Sequence, residues 1–88
     1  MVTETRLLKF PTDYPLKVVG RASEELRQAA DAIVARHVPD LDASRRTERL
    51  SAEGNFLSIS YVIRAVSAEQ VTALAAELSA CEAVLLLI

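Results

Sequence analysis

The stretch GNFLSISYVIRA, residues 54–65, constrains the fold more than any other part of the chain. It alternates with period two. Leu57, Ile59, Tyr61 and Ile63 fall on one face, and Phe56, Ser58, Ser60, Val62 and Arg64 on the other. β-Branched and aromatic residues dominate and no proline interrupts. One wholly apolar face beside a mixed one predicts a central strand in a sheet that helices cover on one side only. Eighty-eight residues make a single domain. With only two Gly and three Pro, most of that domain is left to regular structure.

The rest of the chain supplies the partners of that strand. Residues 1–12 mix charge with Leu7, Leu8 and Phe10, and Pro11 and Pro15 oppose a continuing helix, so an irregular lead-in is expected before a domain over residues 13–88. YPLKVVG, residues 14–20, reads as a first strand ended by Gly20. Residues 23–38 read as a helix with Ser23 as N-cap, Glu24 and Glu25 in its first turn, and Arg36 and His37 in its last. Leu26, Ala29, Ala30, Ile33, Val34 and Val38 form its apolar stripe. Residues 44–51 alternate poorly and carry Arg45, Arg46 and Arg49, as an edge strand that resists stray pairing would. Glu53-Gly54-Asn55 has turn chemistry and predicts a hairpin into the central strand. Residues 67–80 read as a second helix opened by a Ser67/Gln70 capping box. Val71, Leu74, Ala75 and Leu78 form its stripe. Residues 83–88 read as a last strand, apolar on both faces.

The order β-α-β-β-α-β predicts an α+β, ferredoxin-like sandwich: a four-stranded antiparallel sheet, order 4-1-3-2, with both helices on one face. At this point the chain resembles a family. Phe10-Pro11-Thr12, Lys17-Val18 with Gly20, the helix ending in ARHVP, and Gly54-Asn55 within EGNFLSISYVI look like the YbeD-like family of small bacterial cytosolic proteins. The resemblance runs from about Leu8 to Ile88 and implies a ferredoxin-like fold similar to regulatory ACT domains. None of its motifs is catalytic. ACT domains commonly hold small ligands near the loop after the first strand, which here is Gly20-Arg21-Ala22-Ser23. The Asp and Pro that often precede that Gly are absent, and Val18 and Val19 stand in their place.

Composition narrows the function classes. Net charge is −2, against a general nucleic-acid binder. The lone Cys81 excludes an internal disulfide, no run reaches the roughly 20 apolar residues of a membrane span, and the start lacks the apolar run of a signal peptide. A reducing bacterial cytoplasm is the expected location. His37 and Cys81 alone do not make a metal site or a nucleophilic pair, and no cofactor motif is present. The carboxylates fall on faces expected to be wet, so no general acid or base stands out. Arg45, Arg46 and Arg49 could meet RNA phosphates, but the stacking aromatics of an RNA recognition sheet are missing. No enzyme is expected, and no nucleic-acid or membrane partner.

Two candidate surfaces remain. The first is the start of the first helix, where Gly20, Arg21 and Ser23 could receive a small anion or amino-acid-like ligand. The second is the uncovered sheet face. With Val84, Leu86 and Ile88 turned to the helices, Leu85 and Leu87 would join Val19, Phe56 and Val62 outside. An apolar patch of this kind marks a protein partner or self-association more often than idle surface, unless residues 7–10 fold over it. The preferred expectation is a non-enzymatic interaction or regulatory module working through that face. A small-ligand sensor built on the loop is the alternative.

Overall fold

The computed structural model describes residues 9–88. Strand β1 spans Thr12–Arg21, helix α1 Glu24–His37, strand β2 Arg46–Leu50, strand β3 Phe56–Ala65, helix α2 Ala68–Ala80 and strand β4 Leu86–Leu87; a 3-10 turn, Ala43–Arg45, precedes β2. The sheet order is β2-β3-β1-β4, the expected 4-1-3-2 read from the other edge, and every pairing is antiparallel.

The alternation in β3 decides which side is covered. Leu57, Ile59, Tyr61, Ile63 and Ala65 are all buried. Their cross-strand partners in β1 include Val18 opposite Ile59 and Leu16 opposite Tyr61, which share the same face and are buried with them. Leu26, Ala30, Ile33 and Val34 of α1, with Leu74 and Leu78 of α2, complete one core. Both helices therefore lie on this side of the sheet. Ala29, Val71 and Ala75, expected on the stripes, are half-buried at their margins.

The helix starts follow the sequence chemistry closely. Ser23 Oγ accepts from the Leu26 N–H at 3.1 Å, and Ser67 Oγ from the Gln70 N–H at 3.1 Å. The second box closes with an offset: Gln70 Oε1 accepts from Val66 N–H, not from Ser67 N–H. Gln70 Nε2 also donates to the His37 carbonyl, tying the start of α2 to the end of α1.

Three boundaries differ from expectation. β1 begins two residues earlier and runs through Gly20 to Arg21, because its ladder with β3 pairs Thr12 with Ala65 and Arg21 with Phe56 without a break. β2 is shorter, since Asp42 Oδ1 accepts from the Ser44 N–H and turns residues 43–45 into a 3-10 turn. The lead-in expected over residues 1–12 is described only from Lys9. Phe10 packs half-buried on the core, and any cover by Leu7 and Leu8 lies outside the described residues.

The third difference has the largest consequence. β4 is two residues long, not six, and its faces are reversed relative to the expectation. Leu87 pairs with the buried Val18 and packs on the core, and Leu86 pairs with Val19 on the uncovered face. Ile88, hydrogen-bonded both ways to Lys17 at 2.9–3.0 Å, shares the side of Leu86. Leu87 is thus on the helix side, and Leu86 and Ile88 on the open side; Leu85, ahead of β4, is 59% exposed, and Val84 packs on the core. A slip of one residue flips a whole strand, and a run apolar on both faces has no phase to prevent it.

Gly20 fixes this arrangement. A Cβ on it would lie 2.3 Å from the Ala83 carbonyl oxygen and 3.1–3.2 Å from the Leu26 methyls. The chain entering β4 therefore crosses directly over bare backbone. Gly20→Ala should destabilise the fold by about 1–3 kcal/mol, read as a lower urea midpoint by circular dichroism. An unchanged midpoint would show that the crossing is not a tight constraint.

Candidate functional site

The loop between β1 and α1 is crowded by its own chain. Gly20 is buried beneath Ala83 and Leu26, so the room expected there for a ligand is occupied. Arg21 and Ser23 do line an open hollow of about 450 Å³, together with Glu25, Glu82, Ala83 and Leu85. Two carboxylates against one guanidinium disfavour an anion there. Ser23 Oγ already caps α1, and the Arg21 guanidinium lies 5.6 Å from the centroid of the Phe56 ring.

A second polar feature joins α1 to the sheet edge. Arg46, in β2, pairs with Tyr61 across the ladder and so faces the helices rather than solvent. Its Nε donates to Asp31 Oδ1 at 2.8 Å and its NH2 to Glu48 Oε2 at 2.6 Å. Tyr61 Oη donates to the same Asp31 oxygen at 2.6 Å, and Arg27 Nε reaches both Glu48 oxygens at 3.1 Å. Burial first, and then the bond to Asp31, push the Tyr61 hydroxyl above the ordinary phenol range, so it stays a neutral donor. Bonds from Arg46, then Arg27, hold the Glu48 carboxyl below the usual range. Arg46 therefore departs from the solvated edge charge expected of it. It closes the helix–sheet gap, and among the described residues no buried side-chain polar atom is left without a hydrogen-bond partner. Period-two counting from Tyr61 through the Gly54 turn could have found it.

The remaining reactive types are spread apart. His37 Nε2 lies 2.8 Å from Glu77 Oε1, and Arg36 bonds the other Glu77 oxygen, so α1 and α2 are joined at their ends. These contacts, the His37 bond foremost, hold the Glu77 carboxyl below its ordinary range. Cys81 is the half-buried C-cap of α2. Among the described residues no three His, Cys, Asp or Glu side chains gather as a metal site would need.

The uncovered sheet face is the remaining candidate. Its rows follow from the register. Arg49, Ser58, Val19 and Leu86 lie side by side; so do Thr47, Ser60, Lys17 and Ile88. Pro15 and Val62 form the next row, and Phe56 and Arg21 close one end. Phe56, Leu86 and Ile88 are 40%, 53% and 68% exposed. Val19 and Val62, placed here by the sequence reading, are half-buried between them. A shallow hollow of about 300 Å³ lies between Pro15, Lys17, Ser60, Val62 and Ile88.

With this geometry in view, known proteins give the following likenesses. Residues 5–88 match the model of the family described as "Protein of unknown function (DUF493)". The chain belongs to that family. A UPF0250 protein of Ectopseudomonas mendocina is 43% identical over 74 residues, covering 83% of this chain and 80% of the relative. One from Hahella chejuensis is 38% identical over 81 residues, covering 92% and 89%. Among solved structures, the ACT domain from GTP pyrophosphokinase of Chlorobium tepidum is similar in fold. Its solution structure has a TM-score of 0.62 at 17% identity, covering 86% of this chain and 84% of that one. Its crystal structure gives 0.61 at 18%, covering 88% and 97%. The resemblance read from the sequence thus stands for both family and fold.

The ion pairs set an acid limit on stability. Their partners hold the Glu48 and Glu77 carboxyls below the ordinary carboxylate range in the folded state. A depressed carboxylate contributes stability above its unfolded pKa and loses it as pH falls through the folded one. The urea midpoint should therefore hold from neutrality to about pH 5 and fall below about 4.5, less steeply in Glu48→Gln than in wild type. Tyr61→Phe should cost about 1 kcal/mol at pH 7, a charged hydrogen bond discounted for the partial exposure of Asp31. Equal acid slopes in wild type and Glu48→Gln would remove Glu48 from this account.

Proposed function

We propose that the protein is a non-enzymatic interaction module of the bacterial cytoplasm, with regulatory use, whose working surface is the open sheet face. One observation carries the reading: Leu86 and Ile88 stand exposed beside Val19 on the uncovered side of β4 and β1, continuous with Val62, while the opposite side holds a complete core. Full burial of a Leu, Ile or Phe side chain is worth roughly 1.5–3 kcal/mol, so covering this strip would drive association. An apolar strip with a polar surround is also the anatomy of a protein interface. The ACT domain from a GTP pyrophosphokinase shares the fold. The single thiol suits a reducing compartment. The loop alternative has less support, because its glycine is covered and its hollow carries Glu25 and Glu82.

The test compares faces. Tagged wild type, Leu86→Asp and the helix-side control Glu69→Lys are used to recover partners from the native cytosol. A protein held stoichiometrically by wild type and by the control should fall about tenfold with Leu86→Asp, the effect of losing about 1.4 kcal/mol. Equal recovery by all three would move the working surface elsewhere. No recovery, together with strictly monomeric scattering by every variant, would remove the proposal.

A further inference from the structure

The open face has a charge that the whole chain does not. Lys17, Arg21 and Arg49 lie on it by register, and Arg64 and Arg45 lie at its far end around Asp13. Among the described residues, the register thus places four cations, Lys17, Arg21, Arg49 and Arg64, and one carboxylate, Asp13, on this face, while Asp40 and Asp42 lie with Arg45 and Arg64 around the hollow at its far end. Arg45 NH1 and Arg64 NH1 share the single carboxylate of Asp13 at 3.2 and 3.5 Å. Among the described residues, ion pairs join Arg27, Arg36, His37 and Arg46 to partners on the helix side, and none reaches Lys17, Arg21 or Arg49. Cations thus border the apolar strip of Val19, Leu86 and Ile88, and Ser58, Ser60 and Thr47 lie between.

We propose that this face receives an acidic protein segment, one whose apolar side chains cover the β4 strip while its carboxylates meet Lys17, Arg49 and Arg64. The inference rests on the open face being the working surface and adds the chemistry of what covers it. Complementary charge fixes register and speeds encounter, and apolar burial gives the holding energy. RNA fits less well. The central positions of the two middle strands are Val19, Lys17, Ser58 and Ser60, where a nucleic-acid platform needs rings, and the one aromatic side chain on this face, Phe56, already lies beside Arg21.

The experiment titrates the whole protein with defined probes and follows backbone amide shifts. The probes are a short peptide of alternating glutamate and valine, its lysine–valine counterpart, an oligouridine and phosphatidylglycerol vesicles. The acidic peptide should shift the amides of Val19, Ser58, Ser60 and Leu86. Its affinity should fall about tenfold or more as salt rises from about 50 to about 500 mM, and by a similar factor in the double variant Arg49→Glu, Arg64→Glu. Glu69→Lys should leave it unchanged. Absence of open-face shifts with the acidic peptide, or equal or tighter binding of the basic peptide, the oligouridine or the vesicles, overturns the proposal. A cytosolic partner lost with Leu86→Asp but retained by the double charge variant would leave the working face standing and remove the acidic segment alone.

Discussion

The ten-residue ladder between β1 and β3 sets the parity of the whole molecule. Once Val18 lies opposite Ile59 and Leu16 opposite Tyr61, each residue of the two central strands is assigned to a side. The even positions of β1 from Tyr14 on and the odd positions of β3 are apolar and face the core. Their neighbours, Lys17, Val19, Ser58 and Ser60, are left outside. The hairpin through Gly54, the one glycine with positive φ, carries the same parity into β2. That is why Arg46 and Glu48 turn inward to the helices while Thr47 and Arg49 turn outward. The polar link from Asp31 to Tyr61 follows from this parity. An inward-facing guanidinium on a sheet edge is costly unless paired, and α1 presents Asp31 where it is needed.

Parity reaches β4 by a different route. No alternating pattern phases the run Val84-Leu85-Leu86-Leu87-Ile88. Its register comes from the crossing over Gly20, where the Ala83 carbonyl takes the space of an absent Cβ, and from the bond of Leu85 N–H to the Val19 carbonyl at 2.9 Å. Leu87 then falls opposite Val18 and completes the core. Leu86 and Ile88 are left over on the open side.

How much of this was legible in the sequence divides along the same line. The β3 face, both apolar helix stripes, the Ser23 and Ser67 caps, the strand order and the family resemblance could be read, because period and capping chemistry are local. Val19, Phe56 and Val62 were assigned to the open face for the same reason. Leu87, expected outside, lies on the core because its own run has no phase, and the contact that supplies one joins residues 20 and 83. Arg46 was read as a solvated charge because its partner Asp31 lies fifteen residues away on another element. The reading of Gly20 as bare backbone was right about the missing side chain. It could not show that the chain itself fills the gap.

The strand edge bears on how a partner could approach. Lys17 exchanges both backbone bonds with Ile88, and the Val19 carbonyl also points to β4, so the odd-numbered backbone groups of β1 face that side. Beyond Ile88 the next groups in this direction belong to Pro15 and Asp13. Proline has no N–H to offer an added strand, and Pro15 lies outside the part of β1 that β4 pairs with. The ladder is therefore blocked where it would otherwise invite pairing. A partner on this side gains little from backbone bonds and must bind through side chains, over Leu86 and Ile88 and between the cations. Edge addition would select for extended shape and little else. Recognition through the face selects for charge and apolar content, which Lys17 and Arg49 beside Leu86 and Ile88 supply.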